Sequence, residues 1–212
     1  MNMKTPEEYL KEHVILPEEG EREGVYSTYE LDFIKKYLGE ENIPPAISVE
    51  GQKLGGGDVK PGAQIDIRSL SEVQFVGFAI GDQEIAIPIH EVQEVIKKVP
   101  YTQLPSSPDF MVGVINLRNR IVPLLDISSM LGTEISDIDK YRFVVVCNFH
   151  DFRVGIMVER ITNMHKVPQK DIEWNIEIHI GASDIIIGLI KVGDRLVGIV
   201  DLTRLVNRIL KF

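Results

Sequence analysis

Five histidines and one cysteine are the side chains of this 212-residue chain best equipped for chemistry, yet their spacing assembles none. His13, His90, His150, His165 and His179 stand far apart, without the short spacings that bring two imidazoles onto one metal ion. Most of them read as surface or turn residues. Cys147 lies in an apolar run and reads as a buried hydrophobe rather than a nucleophile. No Ser-His-Asp or Cys-His set can be built from local motifs, and Gly55-Gly56-Gly57 lacks the lysine and flanking strand of a phosphate loop. The expectation is a protein that is not an enzyme and carries neither cofactor nor metal.

The polar residue that asks for an explanation is Arg118, and the reason is a repeat. Gly113-Val-Ile-Asn-Leu-Arg-Asn-Arg-Ile-Val-Pro-Leu-Leu-Asp126 holds two apolar, strand-like runs around a tight turn. Asn119 tolerates the left-handed backbone such a turn needs, and Asp126 stands where a helix N-cap belongs, ahead of Ile127–Leu131. A second copy follows 75 positions later, Gly188 to Asp201, leading into Leu202–Val206. Glu84–Val92 and Arg153–Ile161 share another template, 69 positions apart. The order A, B, A, B describes a duplicated pair of units and implies two similar sub-barrels rather than a solenoid. The counterpart of Arg118 in the second copy is Gly193, so the turn itself does not require a large cation.

Composition bounds the rest. The chain is 44% apolar and 26% charged, as a globular protein should be, and no apolar run reaches the roughly 18 residues that span a bilayer. The N-terminus lacks the apolar region of a signal peptide, so the expected location is the cytoplasm. Net charge is −9, of which residues 1–50 hold five Lys/Arg against twelve Asp/Glu. Without a basic stripe, nucleic acid is not an expected partner. Three segments follow: an acidic extension over 1–50, a glycine-rich linker over 51–70 and a folded domain over 71–212. The extension has helical signals at Thr5-Pro6-Glu7-Glu8 and at the capping box Ser27-Thr-Tyr-Glu30, with Leu31, Ile34, Tyr37 and Leu38 following at helical spacing. That helix could dock on the domain or on a partner, or be a loosely packed tail.

Within the domain, strands are expected over Val73–Ile80, Glu84–Ile89, Tyr141–Phe149 and Phe152–Val158, besides those of the two B units. A short helix is expected over His90–Lys97, turning Val92, Val95 and Ile96 inward. An irregular stretch carries Pro168 and Trp174, and a closing helix has Leu202, Leu205, Val206, Ile209 and Leu210 on one face.

From Val73 onward the chain resembles the CheW-like coupling proteins of bacterial chemotaxis. The resemblance rests on Phe78-Ala-Ile-Gly-Asp-Gln-Glu-Ile-Ala-Ile-Pro-Ile89, Glu91-Val-Gln-Glu-Val95, Phe110-Met-Val-Gly-Val-Ile-Asn-Leu-Arg118, Ile121-Val-Pro-Leu-Leu-Asp-Ile127, Val154-Gly-Ile-Met-Val158 and Gly193-Asp-Arg-Leu196, in the family's order. It implies a mainly β fold with short helices: two SH3-like five-stranded β-barrels sharing a core, then a C-terminal helix, with the N-terminal extension and its short helix added. It implies a non-enzymatic adaptor that joins the cytoplasmic tips of methyl-accepting chemoreceptors to the regulatory domain of a CheA-type histidine kinase, without entering the membrane itself. A related pilus, gliding or developmental pathway is the alternative.

The partner-binding residues it implies are Val92, Gln93, Glu94, Asn116, Arg118 and Asn119. Read from the residues alone, Arg118 would be a solvated hairpin arginine and Val92 a core residue. Glu94 is also placed to pair with Arg118. Asn119 replaces the glycine usual after Asn-Leu-Arg, and Glu159-Arg160 replaces a smaller pair.

Overall fold

The computed structural model describes residues 28–37, 65–104, 107–118, 120–133, 137–150, 152–174 and 184–211. The expected leader helix near Thr5, the linker to residue 64 and Asn119 lie outside them. The order is α1 (Thr28–Tyr37), β1 (Glu72–Ile80), β2 (Gln83–Pro88), β3 (Val92–Lys97), β4 (Met111–Leu117), β5 (Arg120–Leu125), β6 (Phe143–Phe149), β7 (Phe152–Val158), β8 (Arg160–Pro168), β9 (Ile172–Trp174), β10 (Ile186–Val192), β11 (Arg195–Val200) and α2 (Leu202–Lys211).

Two sheets result, and the duplication is interleaved between them. One runs β8-β1-β2-β11-β10-β9, the other β3-β6-β7-β5-β4. Each therefore takes its leading hairpin from one repeat and its closing hairpin from the other. The seams are short parallel pairings, Ile199 against Ala86 and Leu124 against Gly155. These are equivalent positions of the two repeats, shifted by the 75 and 69 residues found in the sequence.

Both sheets curl. Beyond β3, Thr102 exchanges backbone hydrogen bonds with Val114 of β4, at 2.9 and 2.8 Å, which joins the outer strands of the five-stranded sheet. The backbones come so close that a Cβ on Gly113 would lie 2.4 Å from the Thr102 carbonyl oxygen. In the other sheet Gly188 has the same role, where a Cβ would stand 3.0 Å from the Glu173 oxygen. That contact belongs to a regular strand, β9, pairing with β10. The sixth strand of that sheet is thus the extended counterpart of the isolated Thr102–Val114 bridge.

Apolar alternation places the core. Ile85 and Ile87 of β2 join a cluster that spans both sheets and takes in Val144, Ile156, Leu205 and Ile209. Ala86, between them, faces a smaller cluster with Phe75, Val197 and Ile199 inside the six-stranded sheet. The closing helix buries Leu202, Leu205, Val206 and Ile209 as expected. Asp201 caps it, its carboxylate accepting from the Arg204 amide at 3.0 Å. The sister residue Asp126 accepts from the Ser128 amide at 2.9 Å and the Tyr141 hydroxyl at 2.6 Å, but only a 3-10 turn, Ser129–Leu131, follows it.

Two local expectations are corrected. The segment His90–Lys97 is not a helix: after a 3-10 turn over Ile89–Glu91 it runs as β3, antiparallel to β6. Val92, Val95 and Ile96 have helical spacing along the chain, but in the strand only Val92 and Ile96 pack against the core, and the register with β6 shifts between Val92 and Glu94. Val95 faces solvent. The stretch with Pro168 and Trp174 is not irregular either, because β8 pairs along β1 from Glu72 to Ala79.

Candidate functional site

Register brings the expected partner residues to one end of the five-stranded barrel. Strands β5 and β7 are parallel, so the turns that precede them, after Leu117 and after Phe149, emerge at the same end. Strand β3 is antiparallel to β6, with Val92 opposite Cys147 and Glu94 opposite Val146, so its start lies at that end too. Curling of the sheet then closes the set: Arg118 Nη2 donates to Glu94 Oε2 at 3.1 Å. Glu94 belongs to one outer strand and Arg118 to the turn of the other, so the pair straddles the closure. The Arg118 side chain is 69% exposed and that of Glu94 only 21%, which leaves the guanidinium open to solvent and worth about 0–1 kcal/mol as a stabilising pair.

The backbone makes Arg118 more unusual. Leu117 pairs with Arg120 across the turn, and Arg118 takes φ +52°. Its counterpart Gly193 takes φ +60°. Such a conformation costs a residue with a Cβ about 1 kcal/mol. The same contrast recurs in the other repeated hairpin, where Gly81 has φ +60° and His150 +52°. Both bulky residues lie at the same end of the five-stranded barrel.

Around them the acceptors are under-used. One carboxylate oxygen of Glu94, one of Glu91 and the Gln93 amide oxygen are buried without a hydrogen-bond donor among the described residues. Val92 is half-buried against the shared core, as its apolar character suggests, and Asn116 is exposed two residues before Arg118. Glu91 was not foreseen. Burial raises its carboxyl to about 7, and the neighbouring Asp201 adds to the shift. Burial, with Glu91 nearby, also pushes the Cys147 thiol up, far from a thiolate at neutral pH. The buried-hydrophobe reading of Cys147 fits this position.

A second polar group is structural. Arg195 Nη1 donates to Glu84 Oε2 at 2.6 Å across the β2–β11 seam, and Glu84 Oε1 lies 3.7 Å from His165 Nε2. His165 is buried, an exception to the surface or turn positions expected of most of the histidines, because Gly77 leaves room for its ring: a Cβ there would stand 2.8 Å from Nε2. Glu159, one of the two departures from the family pattern, accepts from the Gly81 amide at 3.1 Å and so ties down the β1–β2 turn. Among the described residues no group of three His, Cys, Asp or Glu side chains could hold a metal ion, and no helix is long and apolar enough to cross a membrane.

Paired, curled sheets with a polar, arginine-bearing end define a binding module of the double-barrel kind. The CheW-like domain family matches residues 74–210, and the chain belongs to that family, whose members are scaffold proteins of chemotaxis signalling rather than enzymes. It is 32% identical over 136 residues to the chemotaxis protein CheW of Helicobacter pylori, covering 64% of this chain and 82% of that one. It is 35% identical over 108 residues to protein PilI of Pseudomonas aeruginosa, covering 51% and 59% respectively. The fold matches that of the scaffolding protein CheW from Thermoanaerobacter tengcongensis with a TM-score of 0.57, at 24% identity, over 61% of this chain and 89% of that one.

Proposed function

We propose that this chain couples the cytoplasmic tips of chemoreceptors to the regulatory domain of a CheA-type histidine kinase, working in the cytoplasm at receptor arrays. The observation that carries the reading is Arg118, held at φ +52° and paired with Glu94 at 3.1 Å where the sister turn has glycine. A strained, exposed cation with its guanidinium oriented by a carboxylate is pre-organised for a polar partner surface. Val92, Gln93, Asn116 and Asn119 complete the contact, and the spare acceptors on Gln93 and Glu94 fit a partner that brings donors. Each single contact is modest; repetition in an array supplies the strength.

The test is co-sedimentation with a receptor signalling tip and a kinase regulatory domain. Arg118→Ala and Arg118→Glu are expected to lower recovery of the ternary assembly about tenfold or more, with thermal unfolding little changed. Undiminished recovery would remove Arg118 from the interface. The similarity to PilI supports a second reading, an adaptor of a pilus-type pathway whose partner is chosen by the N-terminal segment. Unchanged partner choice after deletion of residues 1–64 would exclude it.

A further inference from the structure

Helix α1 lies outside the family domain yet is seated on it. Phe33 is 1% exposed, its ring 5.7 Å from Phe152 of β7 and 5.1 Å from Tyr37. The Tyr37 hydroxyl donates to the Ile209 carbonyl at 2.9 Å and Lys36 Nζ to the Leu210 carbonyl at 2.8 Å. Those carbonyls are among the last of α2, which the helix itself leaves without partners. Asp32, Lys35 and Lys36 remain exposed. Among the described side chains, α1 is attached by the buried Phe33 ring, the Tyr37 ring packed on the core and two donors, and a helix of ten residues is too short to be stable alone. Folding and docking of α1 are one event.

The covered surface, Phe152, Ile209 and Leu210, falls inside residues 74–210, whereas its cover precedes them. Residues 38–64, with glycines at 39, 51, 55, 56, 57 and 62, connect the two, a contour of about 90 Å. A tether of that kind holds α1 at an effective concentration on the order of millimolar. An attachment of this size, two aromatic rings and two hydrogen bonds, suits an intrinsic affinity of a similar order.

We infer that α1 is a tethered, exchangeable cover, and that the Phe152–Ile209–Leu210 surface is a docking site for a helix carrying an aromatic residue followed three and four positions later by Lys and Tyr. The occupant in one molecule is its own α1, and the occupant in trans is α1 of a second copy. Exchange sets in where copies are held at local concentrations near that of the tethered helix. Opening bares the Phe152 ring and returns the last carbonyls of α2 to water. Nothing in this depends on the coupling role proposed above, since neither Arg118 nor Glu94 touches α1 through any of these contacts.

The experiment uses the full chain with a protease site replacing residues 54–57. After cleavage and dilution to nanomolar concentration, the N-terminal piece is expected to separate on gel filtration while the rest keeps cooperative unfolding. A peptide of residues 25–40 should rebind with a Kd of about 10 μM to 1 mM, and Phe33→Ala in the peptide should weaken this about tenfold. Excess peptide should also speed amide exchange of residues 28–37 in the uncut chain. Retention of the piece at nanomolar concentration, or loss of cooperative unfolding on cleavage, would show a fixed core element and overturn the proposal. A peptide that does not rebind, or binds equally well without Phe33, would overturn the docking site.

Discussion

The β4–β5 and β10–β11 hairpins derive from one repeated pattern and turn with nearly the same backbone, φ +52° at Arg118 and +60° at Gly193. Gly193 meets the demand of the turn without steric cost, and a Cβ there would meet nothing within 4 Å. Arg118 bears the strain and projects a cation toward Glu94. The β1–β2 and β6–β7 hairpins repeat the contrast with Gly81 and His150. In both cases the six-stranded barrel keeps glycine and the five-stranded one carries the bulky residue. One barrel end is built for economical folding. Its sister departs from that economy where partners are proposed to bind.

The largest effect should come from the closures that both barrels share. Gly113→Val puts a branched side chain where a single Cβ is already 2.4 Å from the Thr102 oxygen, and about 3 kcal/mol of stability should be lost in urea denaturation. Gly188→Val, with its nearest atom at 3.0 Å, should cost less. Equal losses would mean that the two closures are not distinguished by their spacing.

Next comes Glu91, whose repeat counterpart is the exposed Arg160. Its carboxyl is raised from 4.5 to about 7, first by burial and then by Asp201. Between those pH values the folded chain holds a proton that the unfolded chain releases, so this group makes stability fall as pH rises through the window and level off above it. Glu91→Gln should remove that slope and add up to about 3 kcal/mol at pH 8. A wild-type slope that persists in the variant would assign it to another group.

The smallest effect is the most direct gauge of the strain. Gly193→Arg should lower stability by about 1 kcal/mol, from backbone conformation alone. No change would remove strain from the account of Arg118.

Much of this was legible in the sequence because the repeat is carried by backbone-defining residues. Gly113 with Gly188, and Asp126 with Asp201, recur for reasons that the closures and caps make physical. What stayed hidden was long-range. Nothing local says that the β1–β2 hairpin joins β11 rather than β3, since strand partnership depends on packing that periodicity does not encode. The i, i+3, i+4 spacing of Val92, Val95 and Ile96 gave a strand the look of a helix, and only its pairing with β6 decides between them. In α1 the expected apolar face included Tyr37, which does pack on the core, but not Phe33, which is buried there as well. Its burial depends on Phe152, over a hundred residues away. In the Glu94–Arg118 pair the repeat singles out Arg118, whereas Glu94 enters only through the resemblance, because nothing local brings β3 beside the β4–β5 turn.

The central claim, that Arg118 is kept for contact rather than for the turn, is tested most directly by giving its position the residue of its sister. Arg118→Gly should unfold within about 1 kcal/mol of the wild type, yet recover at least about tenfold less kinase regulatory domain with receptor tips in co-sedimentation. Wild-type recovery by the folded Arg118→Gly chain would contradict the account.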